Sequence, residues 1–231
     1  MTAATQDDLW IFGYGSLMWR PGFEYADAHH GVAIGYRRSF CVYSTHHRGT
    51  HERPGLVLGL DMGGTCRGIV FRVPHAAREQ VLRYLRAREQ INGVYREVHL
   101  PVRLSAGDGK EVFAVTYVVE RAHPSYAGRL PLALQAELIR AARGESGPNV
   151  DYLVNTVRHA QQLGFEVREL NRLLVMVGPY FARHGGSSAN CRPASVHLVD
   201  RCRQTRVLAP RLRRDARRRF VFRIQRELSR R

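Results

Sequence analysis

Lysine is all but missing from this 231-residue chain: Lys110 stands alone among 36 basic residues, and the rest are arginine. So one-sided a choice reads as coding bias rather than as selection for a nucleic-acid surface. The charge is also unevenly spread. Of the net +16, residues 201–231 carry +11, from 13 arginines against Asp215 and Glu227, which leaves +5 for the first 200 residues. Those arginines are not interleaved with a regular set of aromatics and form no nucleic-acid motif, so they imply some attraction to polyanions and nothing more specific. No apolar run reaches 18 residues, which excludes a membrane-spanning helix and gives no reason to expect a membrane partner. The opening Met1 to Asp8 is polar and acidic and lacks the basic and apolar regions of a secretory signal, so a cytoplasmic protein is expected. Cysteine is scarce too. Cys41, Cys66, Cys191 and Cys202 show no C-x-x-C spacing and no His-x-x-x-His partner, so free thiols are expected, neither a zinc site nor a disulfide framework. The histidine pairs His29-His30 and His46-His47 are neighbours that point apart on a strand, which makes them poor joint ligands, and no metal is expected.

What is present has the proportions of an ordinary globular protein, 44% hydrophobic and 24% charged residues, in a length that suits one core. No internal repeat occurs. Strands are expected at Trp10 to Phe12, at His30 to Ser44 with an interruption at Arg37-Arg38, at Gly55 to Leu60 and at Cys66 to Val73. Met62-Gly63-Gly64-Thr65 between the last two reads as a hairpin turn. Two more strands follow, Tyr95 to Leu104 with its alternating Val98, Leu100 and Val102, and the apolar Val112 to Val119. Helices are expected over Ala76 to Arg88, Pro131 to Arg143, Val150 to Leu163 and Glu166 to Val177. Asn149 is the expected cap of the third, after a break at Gly147-Pro148. Strands first and helices later predict an α+β protein with helices packed on one side of a curled antiparallel sheet. After Val177 the pattern dissolves. A domain over 1–184 and a flexible Arg-rich extension over 185–231 are the expected division.

Two places can carry chemistry. In Trp10-Ile11-Phe12-Gly13-Tyr14-Gly15-Ser16-Leu17-Met18-Trp19 an apolar strand runs into two glycines one residue apart. Backbone N–H groups there can converge into a nest for an anionic oxygen, and a plain strand-ending turn is the competing reading. The second place is Glu89, four residues after Leu85 and seven after Leu82, on the inward face if the helix continues. Burial and the negative end of the helix dipole both favour the neutral acid, raising its pKa toward the range a general base needs. A carboxylate swung out to solvent, or paired with Arg86 or Arg88, is the alternative, and the spacing leaves both open. Ser16 lacks the second glycine of a G-x-S-x-G nucleophile elbow.

Four ordered segments carry a resemblance. Phe12-Gly13-Tyr14-Gly15-Ser16-Leu17 with Trp19-Arg20-Pro21, His47-Arg48-Gly49, Arg88-Glu89 with Gly93 and Tyr95, and Ser146-Gly147-Pro148-Asn149-Val150-Asp151-Tyr152-Leu153 resemble, in order and spacing, the signatures of the ChaC-type glutathione-specific γ-glutamylcyclotransferases. The resemblance spans about Trp10 to Val177. It implies a small mixed β-barrel with helices packed around it and a lyase reaction. In that reaction the α-amino group of a γ-glutamyl compound attacks its own γ-carbonyl, releasing 5-oxoproline and, from glutathione, Cys-Gly. It implies Glu89 as the catalytic residue, with Gly13, Tyr14, Gly15, Ser16, Leu17 and Met18 holding the γ-glutamyl group. It implies no cofactor, and a small-molecule partner, glutathione or another γ-glutamyl compound. Arg48 could pair with a substrate carboxylate or be a solvated loop arginine. Tyr152 is expected at the substrate, and Tyr95 is left undecided between ligand and core. Pro124-Ser125-Tyr126-Ala127-Gly128-Arg129 only partly follows the family's rim segment, and nothing in 187–231 has a counterpart. A polyanion-binding role for the basic tail is the rival from another class.

Overall fold

The computed structural model describes residues 8–90, 92–105 and 109–178. The expected extension from 185 onward, with Cys191 and Cys202, lies outside the described residues, as does most of the turn expected at 106–110. Five strands close a barrel: β1 (Leu9–Gly13), β2 (Asp27–Ser44), β3 (Gly55–Val73), β4 (Tyr95–Leu104) and β5 (Glu111–Val119), in the order β1-β3-β2-β4-β5. Neighbours pair antiparallel except where the ring shuts, β1 lying parallel to β5 with Trp10 opposite Ala114 and Ile11 opposite Val115. The expected antiparallel sheet is therefore a mixed barrel, and closure removes the unpaired edges an open sheet would expose. Around it stand α1 (Arg78–Glu89), α2 (Leu132–Ala141), α3 (Asn149–Gln162) and α4 (Arg168–Val177), with a two-residue ribbon of β6 (Arg143–Gly144) and β7 (Gly147–Pro148) leading into α3. No helix among the described residues is long and apolar enough to cross a membrane.

The glycine pair is no hairpin. Residues 55–73 form one strand, antiparallel to β2 throughout, and Gly63 and Gly64 sit inside it at φ +93° and +85°. They face Gly35 of β2, also at positive φ (+87°), where the register shifts between Ile34 and Tyr36. Glycines let both strands kink together, which bends a long ribbon around a barrel corner. The register of β2 is interrupted at Gly35 and again between Phe40 and Val42, not at Arg37-Arg38. Arg37 Nη2 donates to Asp61 Oδ2 at 2.7 Å and Arg121 Nε to Asp61 Oδ1 at 2.8 Å, giving a fully buried β3 carboxylate two charge partners.

Helix α1 buries the expected stripe, Val81, Leu82 and Leu85, and ends at Glu89, with Gly93 at φ +67° turning the chain back. Asn149 does not cap α3. Its side chain, fully buried, instead acts as a strand neighbour to Leu56: Leu56 N–H donates to Asn149 Oδ1 (2.7 Å) and Asn149 Nδ2 donates to Leu56 O (2.8 Å). This pair bolts the start of α3, and with it Tyr152, to β3. Asn149→Ala leaves both backbone groups of Leu56 buried and unpaired, so we expect a loss of about 2–4 kcal/mol, read from urea unfolding. A loss under about 1 kcal/mol would mean that water takes over both bonds.

Candidate active site

The end of β1 is held tightly because the chains around it touch. A Cβ on Gly68 would lie 2.3 Å from Gly13 O and within 3 Å of the Phe12 ring, so only glycine admits this approach. Thr116 Oγ1 donates to Phe12 O at 2.9 Å. Beyond Gly13 the chain enters a single 3₁₀ turn at Ser16–Met18, closed by Met18 N–H to Gly15 O (3.0 Å) and Arg20 N–H to Ser16 O (2.8 Å). The N–H groups of Ser16 and Leu17 have no acceptor among the described residues, the arrangement a nest requires.

Two arginines clamp this turn from opposite elements. Arg38 of β2 donates through Nε to Tyr14 O and through Nη2 to Arg67 O (2.7 Å) and Met18 Sδ (3.3 Å). Arg88 of α1 donates through Nη1 to Arg20 O (2.8 Å), Pro21 O (3.2 Å) and Tyr84 OH (3.0 Å), and through Nη2 to Ser16 Oγ (2.9 Å). Its Nε lies 3.1 Å from Glu89 Oε1. One guanidinium thus ties the nest, the following loop and the carboxylate of Glu89 together.

Tyr14, Gly15, Ser16 and Leu17 line a cavity of about 110 Å³ together with Glu89. Leu58, Tyr95, Tyr117 and Tyr152 complete it. Burial pushes the Glu89 carboxyl above the ordinary carboxylate range, and the charge and hydrogen bond of Arg88 oppose this without cancelling it. Both sequence readings of Glu89 therefore hold at once: it is paired with Arg88, and it faces the cavity with a raised pKa. The tyrosines are shifted by burial as well. Tyr14 and Tyr95 rise well above the usual phenol value, Tyr117 rises, and Tyr152 is pushed up to about 12.

Of the residues expected at the site, Tyr14, Gly15, Ser16, Leu17, Tyr152 and Glu89 meet in the cavity, whereas Gly13, Met18 and Arg48 do not line it. Gly13 sits at the Gly68 contact and Met18 under Arg38. Arg48 Nη1 donates to Ser146 O (2.6 Å) and Pro148 O (3.2 Å), and its guanidinium lies 5.5 Å from the centre of the Tyr152 ring. It holds the loop before α3 and steadies Tyr152. Sequence reasoning missed Leu58 and Tyr117 and left Tyr95 undecided. Within the apolar run Val112 to Val119 only Thr116 and Tyr117 carry polar tips, a signal that could have found Tyr117. Leu58 had none, since its carbonyl, which takes the Tyr95 hydroxyl at 2.7 Å, is a backbone group. Among the described residues no three His, Cys, Asp or Glu side chains come together to hold a metal, and Cys41 and Cys66 are buried free thiols.

A family model described as ChaC-like protein matches residues 9–180. The chain belongs to that family. The chain is 38% identical over 178 residues to the glutathione-specific γ-glutamylcyclotransferase of Escherichia coli K12, covering 76% of this ChaC-like chain and 75% of the relative. To the human glutathione-specific γ-glutamylcyclotransferase 1 it is 36% identical over 163 residues, 70% of this chain and 73% of the other. A crystal structure of a γ-glutamylcyclotransferase specific to glutathione from yeast superposes with a TM-score of 0.68 at 23% identity, covering 78% of this chain and all of that one. That likeness carries the fold, a ChaC-like barrel ringed by helices.

Proposed function

We propose that this chain is a glutathione-specific γ-glutamylcyclotransferase whose base is Glu89 and whose γ-glutamyl site is the turn from Tyr14 to Leu17. The observation that carries the reading is that Glu89, with its carboxyl of raised pKa, and Ser16 and Leu17, with their unspent backbone N–H groups, line one small cavity. The names of the bacterial and human relatives supply the substrate.

The chemistry asks for little beyond that set. Nucleophile and electrophile belong to the same molecule, so folding the substrate until the amine meets the γ-carbonyl supplies much of the acceleration. An α-ammonium has no lone pair to attack with. Glu89, ionised, takes one of its protons; the amine nitrogen bonds the γ-carbon, and the bond from that carbon to the cysteinyl nitrogen breaks. Glu89 then returns its proton to the departing nitrogen and, ionised again, takes the surplus proton left on the ring nitrogen and passes it to the freed amine, releasing 5-oxoproline and Cys-Gly as its ammonium. A base with a pKa raised toward that of its task is better at both transfers than an ordinary carboxylate.

The test is 5-oxoproline release by the full chain from glutathione, set beside γ-glutamyl amino acids and γ-glutamyl amines. Release from glutathione well above the others is expected; release from another γ-glutamyl compound alone would keep the chemistry and overturn the substrate. We assign the reaction to residues 1–184, so deleting 185–231 is expected to leave turnover within about twofold, a change too small to represent a lost contact in the reacting complex.

A further inference from the structure

We propose that Tyr14 is a second catalytic residue, its phenol O–H donating a hydrogen bond to the γ-carbonyl oxygen of the substrate and to the oxyanion that forms there. This rests on the cyclotransferase reading above and extends it from the backbone of the nest to one side chain.

Four phenols line the cavity, and they are not equivalent. Tyr95 spends its proton on Leu58 O (2.7 Å) and Tyr117 spends its proton on Glu97 Oε2 (3.0 Å), a carboxylate already held by Nε and Nη2 of Arg86. Tyr152 stands partly exposed, with Arg48 over its ring and Phe40 edge-on to it at 5.9 Å. Tyr14 is 7% exposed, yet no group among the described residues hydrogen-bonds its hydroxyl. Buried tyrosines ordinarily find a partner for the O–H, so one that lacks it marks a place kept for something else.

The hydroxyl is open to the cavity. Among the described residues, the one fully sealed side-chain oxygen or nitrogen without a partner is Thr156 Oγ1. The Tyr14 oxygen, equally without a partner, is therefore not sealed, and the space it meets is the cavity that Tyr14 lines with Glu89. Nor is the side chain free to leave. Its ring belongs to the core cluster that includes Phe12, Leu60 and Val118, and its own carbonyl is held by Arg38 Nε. A donor that is fixed, desolvated and unspent before the substrate arrives is what stabilises a developing oxyanion, because no protein hydrogen bond must break to use it. Burial also keeps the phenol protonated far into the alkaline range, so it remains a donor at any working pH.

In the step, the amine lone pair forms the C–N bond to the γ-carbon while the carbonyl π pair moves onto oxygen, where the Tyr14 O–H holds it without giving up its proton. The pair then returns, the bond to the cysteinyl nitrogen breaks, the proton carried by Glu89 goes to that nitrogen, and Glu89 relays the surplus proton of the new ring nitrogen to the same amine. Glu89 handles the proton and Tyr14 handles the charge.

Tyr14→Phe tests this on the full chain, with 5-oxoproline from glutathione as the readout. Loss of one oxyanion donor predicts a fall in kcat of about 100-fold with KM within about threefold. The acidic limb of the pH profile, set by Glu89, should stay where it is in the parent. The melting temperature should hold or rise, since the hydroxyl removed has no protein partner to lose. A kcat within about threefold of the parent would overturn the proposal, because a donor to the oxyanion cannot be worth so little. A loss carried in KM alone, or a shifted acidic limb, would overturn it equally, the second by making Tyr14 a positioning residue for Glu89. So would a lower melting temperature matching the loss of rate, which would mark a packing role. If the parent protein itself releases no 5-oxoproline, the cyclotransferase reading falls first; if the parent turns over and the variant matches it, only Tyr14 is wrong.

Discussion

Glu89→Gln is expected to lower kcat for 5-oxoproline release by about 10³-fold, inside the range general acid–base groups usually contribute. The amide keeps the shape of the side chain and can still accept from Arg88 Nε, so the clamp on the nest survives and KM should change little. What it loses is the capacity to take a proton from the α-ammonium and return it. The pH profile of the parent should show the same group. Activity needs the ionised carboxylate, so kcat/KM falls as pH drops through a Glu89 pKa that lies above the ordinary carboxylate range. In the variant that limb should vanish along with the rate. A variant retaining the parental rate would remove Glu89 from the mechanism.

The same substitution has a stability signature with a definite sign. Burial raises the Glu89 pKa in the folded state above its unfolded value, with Arg88 offsetting only part of the effect. A raised carboxyl pKa contributes stability below the unfolded value, and that contribution is lost as pH rises through the folded one. At neutral pH the ionised carboxylate is therefore a cost to the parent, which Gln does not carry. Thermal melts should find Glu89→Gln as stable as the parent or more so at neutral pH, with the gap narrowing toward acid. Activity and stability move in opposite directions, as expected of a group held in a strained state for its chemistry.

How much of this was legible in the sequence depends on which force set each feature. The inward stripe of α1 was readable because one helical face buries Val81, Leu82 and Leu85, and that periodicity carried Glu89 inward with it. The alternation in β4 and the apolar run of β5 were readable for the same reason. The kink at Gly35, Gly63 and Gly64 was not. A glycine pair between apolar runs looks alike whether it reverses a chain or bends it, and here the partner strand decides. Asn149 failed as a cap for a similar reason. An asparagine at a helix start suits both capping and bridging, and a Leu56 backbone with no other partner claimed it from 93 residues away. The nest was legible as a glycine pattern, but its rigidity comes from Arg38 and Arg88, and in a chain this rich in arginine nothing singled out those two.

Arg88 accordingly carries the second large effect. Arg88→Met keeps most of the buried stem and removes every polar contact: those to Arg20 O, Pro21 O, Tyr84 OH, Ser16 Oγ and Glu89. The 3₁₀ turn then loses its tie to α1, and displacing a substrate-holding group by about 1 Å is enough to cost about 10²-fold in kcat/KM. The acidic limb should also move to higher pH, because the guanidinium is what restrains the upward shift of Glu89. Arg88→Lys separates the two consequences. An ammonium keeps a positive charge near Glu89, so the limb returns toward its parental position. It cannot reproduce a planar fork that reaches two loop carbonyls and a serine hydroxyl while facing a carboxylate, so the rate stays low. Methionine and lysine variants with equal rates but different acidic limbs would establish Arg88 as the joint between the nest and its base. Parental rates in both would mean that Arg38 alone suffices to hold the turn.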